Sequence, residues 1–294
     1  MTKTAFLAIV GRPNVGKSTL LNTVCGEKIA IVSNKPQTTR NRITGIYTKG
    51  EDQFVFLDTP GIHKPRTALG DYMVKTANGS IGEADAILLV IEPVPSVGEI
   101  EAGIIEKIRA SKTSAILVVN KVDEHTPADI AATIAAYAAA YDFDAVVPIS
   151  AKSGKGVDAL FEEASKFLYE SVWYFPEDAV TDQPERQIAA EIIREKLLRT
   201  LNKEIPHGTA VVIEEFKEEK NIIRIRAEIF CEKASHKGII VGKNGAALKL
   251  VGTYAREDLE KFLGTKVYLN LWVKVKENWR ESAATVGNFG YRDE

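Results

Sequence analysis

Cysteine and histidine are scarce in this chain of 294 residues. Its two cysteines, Cys25 and Cys231, stand far apart in the sequence, and its four histidines show none of the short spacings typical of metal ligands. The sequence therefore argues against a fold held by disulfides and against a thiolate or histidine metal centre.

Long hydrophobic runs are also absent. The longest apolar stretches, AILLVI (86–91) and AILVVN (115–120), have the length of a strand, whereas a membrane-spanning helix needs about 20 apolar residues. The first residues lack the apolar core and the cleavage site of a secretory signal. We therefore expect a cytoplasmic protein.

No strong excess of one charge is present, since the net charge is −2. Apolar residues make up 45% of the chain and charged residues 27%, a balance ordinary for globular proteins, and the length suggests roughly two domains. Residues 1–184 carry 18 basic against 23 acidic side chains, and residues 185–294 carry 20 against 17. The mildly basic second half is compatible with a polyanionic partner.

The first half of the chain alternates short apolar runs with longer amphipathic stretches. The apolar runs lie at 6–10, 54–57, 86–91, 115–120 and 145–150, and helical patterns at 99–110, 128–141 and 158–170. Continuous apolar runs are typical of strands buried on both faces of a parallel sheet. The segments 43–48 and 53–58 flank KGED and predict one antiparallel hairpin at the edge. We predict a doubly wound α/β domain.

The stretch 173–186 has two prolines and no periodicity, which predicts a linker. The residues after it predict the order α-β-β-α-α-β: a helix near 187–203, strands near 208–216 and 221–230, two helices around GKNG, and a strand at 266–275. The tail 276–294 shows no clear pattern. We predict domains at 1–172 and 187–294, the second with an α+β fold.

GRPNVGKS (11–18) fits the phosphate-binding pattern G-x-x-x-x-G-K-[ST], directly after a strand and before a helix. Gly11 and Gly16 allow successive backbone N–H groups to point at phosphate oxygens. Lys17 is predicted to reach the β- and γ-phosphates, and the Ser18 hydroxyl to bind magnesium. This motif predicts a nucleotide triphosphate site.

Two later motifs follow strands of the same domain. In DTPG (58–61), Asp58 can hold magnesium and the Gly61 N–H can sense the γ-phosphate. In NKVD (120–123), the Asp123 carboxylate can accept two hydrogen bonds from guanine but none from adenine. Ala151 of SAK (150–152) can donate its N–H to the guanine O6. Together they predict a preference for GTP.

These motifs resemble those of the translation-factor-related GTPases, the superfamily that includes Ras. The resemblance implies a switch loop with a further magnesium ligand. Within QTTR (37–40) we assign that role to Thr39, with Thr38 as the alternative, so that the metal ligands become Ser18, Thr39 and Asp58. The predicted GTP-binding residues are Gly11, Arg12, Pro13, Asn14, Val15, Gly16, Lys17, Ser18, Thr19, Asp58, Thr59, Pro60, Gly61, Asn120, Lys121, Asp123, Ser150, Ala151 and Lys152.

One position departs from the Ras-like pattern. Ile62 stands where those enzymes have a glutamine that orients the attacking water, and an aliphatic side chain cannot do so. The adjacent His63 is one substitute, although we interpret it rather as a loop histidine that faces solvent. Asn14 is the other, because it resembles the asparagine with which potassium-stimulated GTPases bind K⁺ near the phosphates. Lys17, Asn14 and Thr39 are therefore the predicted catalytic residues.

GIIVGKNGAALKLVG (238–252) places a G-x-x-G loop before a helix, as in KH domains of type II, which clamp the backbone of single-stranded RNA there. DNA would fit such a clamp as well. We expect Ile239, Ile240 and Leu248 to line the groove. The predicted RNA-binding residues are Lys237, Ile239, Val241, Gly242, Lys243, Asn244, Gly245 and Lys249. If GKNG is only a turn, the basic strand around Lys274 and Lys276 is the next candidate.

The whole chain is similar to bacterial GTPases that join one P-loop GTPase domain to one type II KH domain. That resemblance implies binding near the 3′ end of 16S ribosomal RNA, a role in maturation of the small (30S) ribosomal subunit, and peripheral contact with the cytoplasmic membrane. It further implies that GTP orders the switch loop and controls RNA binding. The alternatives are a constitutive RNA-binding protein with a structural GTPase domain, and a GTP-dependent partner of a tRNA-modifying enzyme, which would lack the KH unit.

Overall fold

The computed structural model describes residues 1–62, 65–202 and 204–292. They form two units. The first contains Met1–Ala30, Thr39–Pro65 and Met73–Asp182, and the second contains Ile31–Thr38, Arg66–Tyr72 and Gln183–Glu294. The α/β fold class predicted for both parts is confirmed. The domain boundaries at 172 and 187 stay a prediction.

Seven strands form one sheet in the first unit. They are β1 (Lys3–Val10), β2 (Ile43–Lys49), β3 (Asp52–Asp58), β4 (Ala86–Ile91), β5 (Ser114–Val119), β6 (Ala145–Pro148) and β7 (Tyr169–Glu170). Their order is β2-β3-β1-β4-β5-β6, and β7 pairs with β1. The strands β3, β1, β4, β5 and β6 run parallel, while β2 lies antiparallel to β3 at the edge. The predicted hairpin is confirmed.

Helices accompany both faces of this sheet. They are α1 (Lys17–Cys25), α2 (Ala68–Glu83), α3 (Glu99–Ser111), α4 (Pro127–Ala140) and α5 (Val157–Ala164). Successive side chains of β1 enter two separate cores, with Leu7 and Ile9 in one and Ala8 and Val10 in the other. This is why its apolar run is continuous. The helix predicted over 158–170 is wrong in its last part, since α5 ends at Ala164 and β7 follows a 3₁₀ turn.

The second unit contains three strands and four helices within the described residues. They are α6 (Glu185–Thr200), β8 (Ala210–Glu219), β9 (Ile222–Cys231), α7 (Ala234–Val241), α8 (Ala246–Leu263), β10 (Lys266–Val275) and α9 (Ala283–Asn288). The sheet order is β10-β9-β8, with β9 antiparallel to β8 and parallel to β10. Odd-numbered residues of β9 enter the core with α6 and α8, and even-numbered residues face away.

The C-terminal tail packs on the second unit, although its sequence shows no periodic pattern. Trp279 is fully buried and donates its indole N–H to the Gly208 carbonyl oxygen at 2.9 Å. The Phe289 ring lies 5.3 Å from the Trp279 ring and 4.4 Å from the Phe230 ring. These irregularly spaced aromatic residues anchor the tail. Within the described residues, no helix combines the length and the apolar character needed to cross a bilayer.

Candidate functional site

The phosphate-binding loop joins β1 to α1 at the carboxyl edge of the parallel strands. Gly11 has φ +152°, and a Cβ there would lie 2.4 Å from the Val90 carbonyl oxygen. Gly16 has φ +99°, and a Cβ there would lie 2.2 Å from Nδ2 of Asn120. Both positions therefore require glycine. The loop then opens directly into the N-terminus of α1, where backbone N–H groups favour an anion.

Lys17 lies beneath this loop and is buried. Its ammonium donates to the carbonyl oxygens of Gly11 at 3.1 Å and Arg12 at 2.9 Å. Burial lowers the pKa of Lys17 to about 8, against the attraction of Asp58, and the Arg12 charge lowers it further. A buried ammonium of this kind gains strongly from a phosphate placed beside it.

Three oxygen-bearing side chains meet next to Lys17. The Ser18 hydroxyl lies 2.7 Å from Oδ2 of Asp58 and 2.8 Å from the Thr39 hydroxyl. The other carboxylate oxygen, Oδ1 of Asp58, is buried and has no hydrogen-bond partner among the described residues. Burial raises the pKa of Asp58 to about 6. An unpartnered buried carboxylate oxygen beside two hydroxyls fits a hard divalent cation such as Mg²⁺.

The loops predicted to bind guanine are joined through Asn120. Its Nδ2 donates to the Val15 carbonyl oxygen at 2.8 Å, and its Oδ1 accepts from the Ala151 N–H at 2.9 Å. The Ala151 N–H thus already has a protein acceptor, which a guanine O6 would have to share or replace. Asp123 is exposed, and a hydrogen bond from the Ser150 hydroxyl lowers the pKa of its carboxyl group. The carboxylate is therefore ionised and able to accept from a base.

Two acidic residues that the motifs do not include hold the basic residues of the site. Arg12 forms ion pairs with Glu92 and, at 3.0 Å, with Glu101. Lys121 also pairs with Glu92, and it has φ +63° in the left-handed region. Glu92 directly follows β4, at the edge where the nucleotide motifs lie. That position after a parallel strand is the signal that could have identified it.

Of the three residues on which the prediction for hydrolysis depends, the structure describes Asn14 and Ile62. Ile62 is 8% exposed and packs in one of the two cores, so its side chain cannot orient a water molecule. Asn14 has φ +68°, a conformation that asparagine tolerates better than most residues. His63 lies outside the described residues. The roles assigned to Asn14 and Thr39 stay predictions.

The remaining predicted residues occupy the same loops. Gly61 approaches the phosphate loop closely, because a Cβ there would lie 2.9 Å from Pro13. The Thr59 hydroxyl donates to the Ile9 carbonyl oxygen at 2.9 Å, which joins the DTPG loop to β1. Pro60 and Lys152 lie in these loops as well, and Thr19 lies in the first turn of α1.

In the second unit, the GKNG loop connects α7 to α8. Gly242, Asn244 and Gly245 have φ values of +73°, +52° and +78°. A Cβ at Gly242 would lie 2.7 Å from the Ala247 Cβ and 2.9 Å from the Ala247 nitrogen, whereas the space around Gly245 is open. Packing of the turn itself therefore requires Gly242. A substitution there would disturb the loop whether or not RNA binds.

The side chains around this loop are mostly accessible. Lys237, Lys243, Asn244 and Lys249 are exposed, as is Ile239 at 52%. Val241 and Leu248 are half-buried. Ile240 is fully buried in the core of the unit, so the expectation that it lines the groove is wrong. The accessible residues present three lysines next to a loop of positive φ, a surface suited to a phosphate backbone.

Two family models match the chain. The model described as a 50S ribosome-binding GTPase matches residues 6–121, which contain the phosphate loop, DTPG, Asn120 and Lys121. The model described as a KH domain matches residues 204–280, which contain the GKNG loop. The first match covers the phosphate-binding part of the nucleotide site and stops before Asp123 and the loop at 150–152, and the second covers the whole GKNG loop.

Full-length relatives and solved structures resemble the whole chain. GTPase Era of Clostridioides difficile (strain 630) is 52% identical over 296 residues, and GTPase Era of Clostridium kluyveri is 50% identical over 293 residues; both alignments cover at least 99% of each chain. The crystal structure of an Era in complex with MgGDPNP and nucleotides 1506–1542 of 16S ribosomal RNA is 41% identical, with a TM-score of 0.95 over 99% of both chains. An Aquifex aeolicus Era variant bound to GDP·AlF₄⁻ is 40% identical, with the same TM-score and coverage.

Proposed function

The chain belongs to the Era family of GTPases, and we propose that its GTP-bound form binds 16S ribosomal RNA near the 3′ end and assists maturation of the small ribosomal subunit. The observation that carries the proposal is the full-length similarity to an Era solved with MgGDPNP and this RNA. The accessible GKNG loop of the second unit supports it. The chain hydrolyses GTP to GDP and phosphate, as the family does.

Ser18, Thr39 and Asp58 are the residues we propose to hold Mg²⁺. Their oxygens lie together, and the unpartnered Oδ1 of Asp58 supports a cation there. When bound, the metal neutralises charge on the β- and γ-phosphates. Lys17 contributes a second positive charge to the same phosphates, and the backbone N–H groups of the loop orient them.

Guanine specificity is proposed to reside in Asp123. Its ionised carboxylate can pair with the two donors of guanine, while Asn120 joins the phosphate loop to the loop that contains Ala151. Adenine would leave the carboxylate without donors, a mismatch that can discriminate by about 10⁴-fold. Lys121, held by Glu92, lies beside this site with its aliphatic stem available to cover the base.

Intrinsic hydrolysis is proposed to be slow, because Ile62 is part of a hydrophobic core and supplies no polar group to the attacking water. Asn14 is proposed to bind K⁺ beside the phosphates, where a monovalent cation would stabilise developing negative charge. RNA or the ribosomal subunit is proposed to accelerate turnover.

The site of action is proposed to be the cytoplasm, in keeping with an RNA partner. Peripheral contact with the cytoplasmic membrane stays a prediction that rests on the family resemblance alone.

Comparison of RNA affinity between nucleotide states tests the proposed function. The full chain with Mg²⁺ and GDPNP should retain RNA of nucleotides 1506–1542 in a gel shift, and the GDP-loaded chain should retain it at least roughly tenfold more weakly, since a coupling of 1–3 kcal/mol is usual. Equal affinity in both states would instead favour the constitutive RNA-binding protein. Lys243→Glu should abolish retention by placing a carboxylate against phosphates. This exposed side chain can change without the steric conflict expected at Gly242.

A further inference from the structure

The sheet of the second unit has an outer face that the proposed RNA site does not use and that the C-terminal tail covers at Phe230, where the Phe289 ring stacks at 4.4 Å. The helices α6, α7 and α8 pack on the inner face, where Val267 and Val273 are buried. Side chains alternate along β9 and β10, so the even-numbered residues point away from that core. Leaving out Ile222 at the strand end and Phe230 under the tail, we call these residues the outer sheet face: Arg224, Arg226 and Glu228 of β9, and Lys266, Tyr268, Asn270, Trp272 and Lys274 of β10.

Two large aromatic side chains stand on this face in contact with solvent. Tyr268 is 51% exposed and Trp272 is 59% exposed. They lie four residues apart on one strand, which separates them by about 13 Å. Arg224 lies over the Tyr268 ring, with its guanidinium carbon 5.2 Å from the ring centroid. The Trp272 ring has no aromatic or cationic partner among the described residues.

Positive charge surrounds these rings. With the residues of β8 that lie opposite β9 on this face, Glu215, Lys217 and Glu219, the outer sheet face carries five cations against three carboxylates, while the whole chain has a net charge of −2. Glu228 pairs with Lys274, and Glu219 of β8 pairs with Arg224. Arg226 is exposed and forms no ion pair with any residue that the structure describes. The local charge therefore complements a polyanion.

Stability of the sheet accounts for only part of this arrangement. Tyr268 lies directly across from Arg224 in the strand register, and such a cross-strand pair stabilises a sheet. Trp272 lies across from Glu228, whose carboxylate is already paired with Lys274. Within the part of the chain that the structure describes, the largest exposed ring of the face thus has neither an aromatic nor a cationic partner. Exposed aromatic rings between cations are what proteins use to stack and neutralise single-stranded nucleic acid.

We propose that the outer sheet face is a second RNA-binding surface, on which unpaired bases stack against Trp272 and Tyr268 while Arg226 and Lys274 contact phosphates. The proposal rests on the proposed function, because the RNA is the strand that continues from the one held at the GKNG loop. Among the described strands, β10 lies at the edge of the sheet and pairs with β9 alone. A strand of RNA can therefore pass from the helical side of β10 around its free edge to the outer sheet face.

Footprinting of the RNA separates this surface from the GKNG loop. The full chain with Mg²⁺ and GDPNP is bound to RNA of nucleotides 1506–1542, and the affinity and the protected nucleotides are measured for Trp272→Leu, Arg226→Gln and Lys243→Glu. Trp272→Leu should weaken binding at least about fivefold, the lower end of what stacking contributes per base. In this variant, the nucleotides that stack on the outer sheet face should lose protection, while those held at the GKNG loop should stay protected. Tyr174→Leu, the same kind of change at a 55% exposed aromatic residue of the first unit, should alter neither quantity.

Each result bears on one of the two proposals. Unchanged affinity and an unchanged footprint for folded Trp272→Leu and Arg226→Gln would overturn the second surface, even if Lys243→Glu abolishes binding. Arg226→Gln keeps the test decisive if Trp272→Leu does not fold. RNA binding that survives Lys243→Glu but is lost in Trp272→Leu would support the outer sheet face and contradict the role of the GKNG loop.

Discussion

Asn120 shows how much one buried side chain can determine in the nucleotide site. It is 2% exposed, and its two amide atoms bond the phosphate loop and the loop that contains Ala151. Its Nδ2 also occupies the space that a side chain at residue 16 would need. The requirement for glycine in the phosphate loop is therefore partly set by a residue of a different motif, 104 positions later in the sequence.

The role proposed for Asn14 can be tested through the monovalent cation. Replacing K⁺ by Na⁺ should slow GTP turnover at least roughly tenfold, a loss typical of removing one charge-stabilising group. Asn14→Ala should turn over equally slowly in both salts. The measurement is phosphate release at saturating GTP and Mg²⁺. Asn78→Ala, a change at an exposed asparagine of α2, should keep the full dependence on K⁺. Rapid turnover of the unmodified chain in Na⁺ would contradict the proposal.

A functional residue can be predicted from the sequence when it belongs to a local pattern. Lys17, Ser18 and Asp58 were identifiable because each lies in a short motif at the end of a strand, and parallel strands bring those ends together. Glu92 and Glu101 were missed, since they act through ion pairs with Arg12 at 80 or more positions away in the sequence. The position of Glu92 directly after β4 marks it as a candidate for the site, but the ion pairs themselves are created by the fold.

The segment Ile31–Thr38 belongs to the second unit and directly precedes Thr39 in the chain. Thr39 belongs to the first unit, but the eight residues before it belong to the second. The Val32 N–H donates to Oε1 of Glu195 at 3.1 Å. The buried Arg194 donates to the carbonyl oxygens of Thr38 and, at 3.4 Å, Gln37. The backbone leading to Thr39 is thus held by side chains of α6.

Arg194→Lys tests whether α6 positions Thr39. A lysine keeps the charge but cannot form the two-pronged contact with adjacent carbonyl groups. Hydrogen bonds from a charged donor contribute about 1.5–3 kcal/mol, so single-turnover hydrolysis should fall roughly tenfold to hundredfold, with a higher Mg²⁺ requirement and little change in GDP affinity. Arg199→Lys is the matched control, because Arg199 is exposed and contacts Val32 at 3.3 Å. Equal effects of the two variants, or no effect of Arg194→Lys, would contradict this role.

Among the elements, regular patterns were predictable and irregular packing was not. The edge hairpin followed from two alternating runs around a four-residue turn, and the order of the second unit followed from strand and helix periods. The end of α5 could not be predicted from a local pattern, because β7 forms through pairing with Lys3 and Thr4 at the start of the chain. The packing of the tail is not predictable from its sequence, since Trp279 and Phe289 are held by contacts with Gly208 and Phe230 rather than by a periodic face.

For the whole molecule, the decisive question is whether the nucleotide governs RNA binding. The first unit contains the nucleotide site and the second contains the GKNG loop, so the two activities can be altered independently. A change of base specificity tests this control most directly. It leaves both units folded, and it allows the use of a nucleotide that only the variant recognises.

Asp123→Asn should transfer control of RNA binding from guanine to xanthine nucleotides. The amide loses the acceptor that guanine needs, so GTP affinity should fall on the order of 10⁴-fold, while its N–H₂ group can donate to the 2-oxygen of xanthine. Asp123 is exposed and its main interaction is the hydrogen bond with Ser150, so folding should be unaffected. RNA retention is measured with GTP and with xanthosine triphosphate, with circular dichroism as the check on folding. Glu124→Gln, a change at the next exposed carboxylate, should leave control with GTP. If the Asp123→Asn protein holds RNA equally well with either nucleotide or with none, RNA binding is constitutive and the first unit is not its switch.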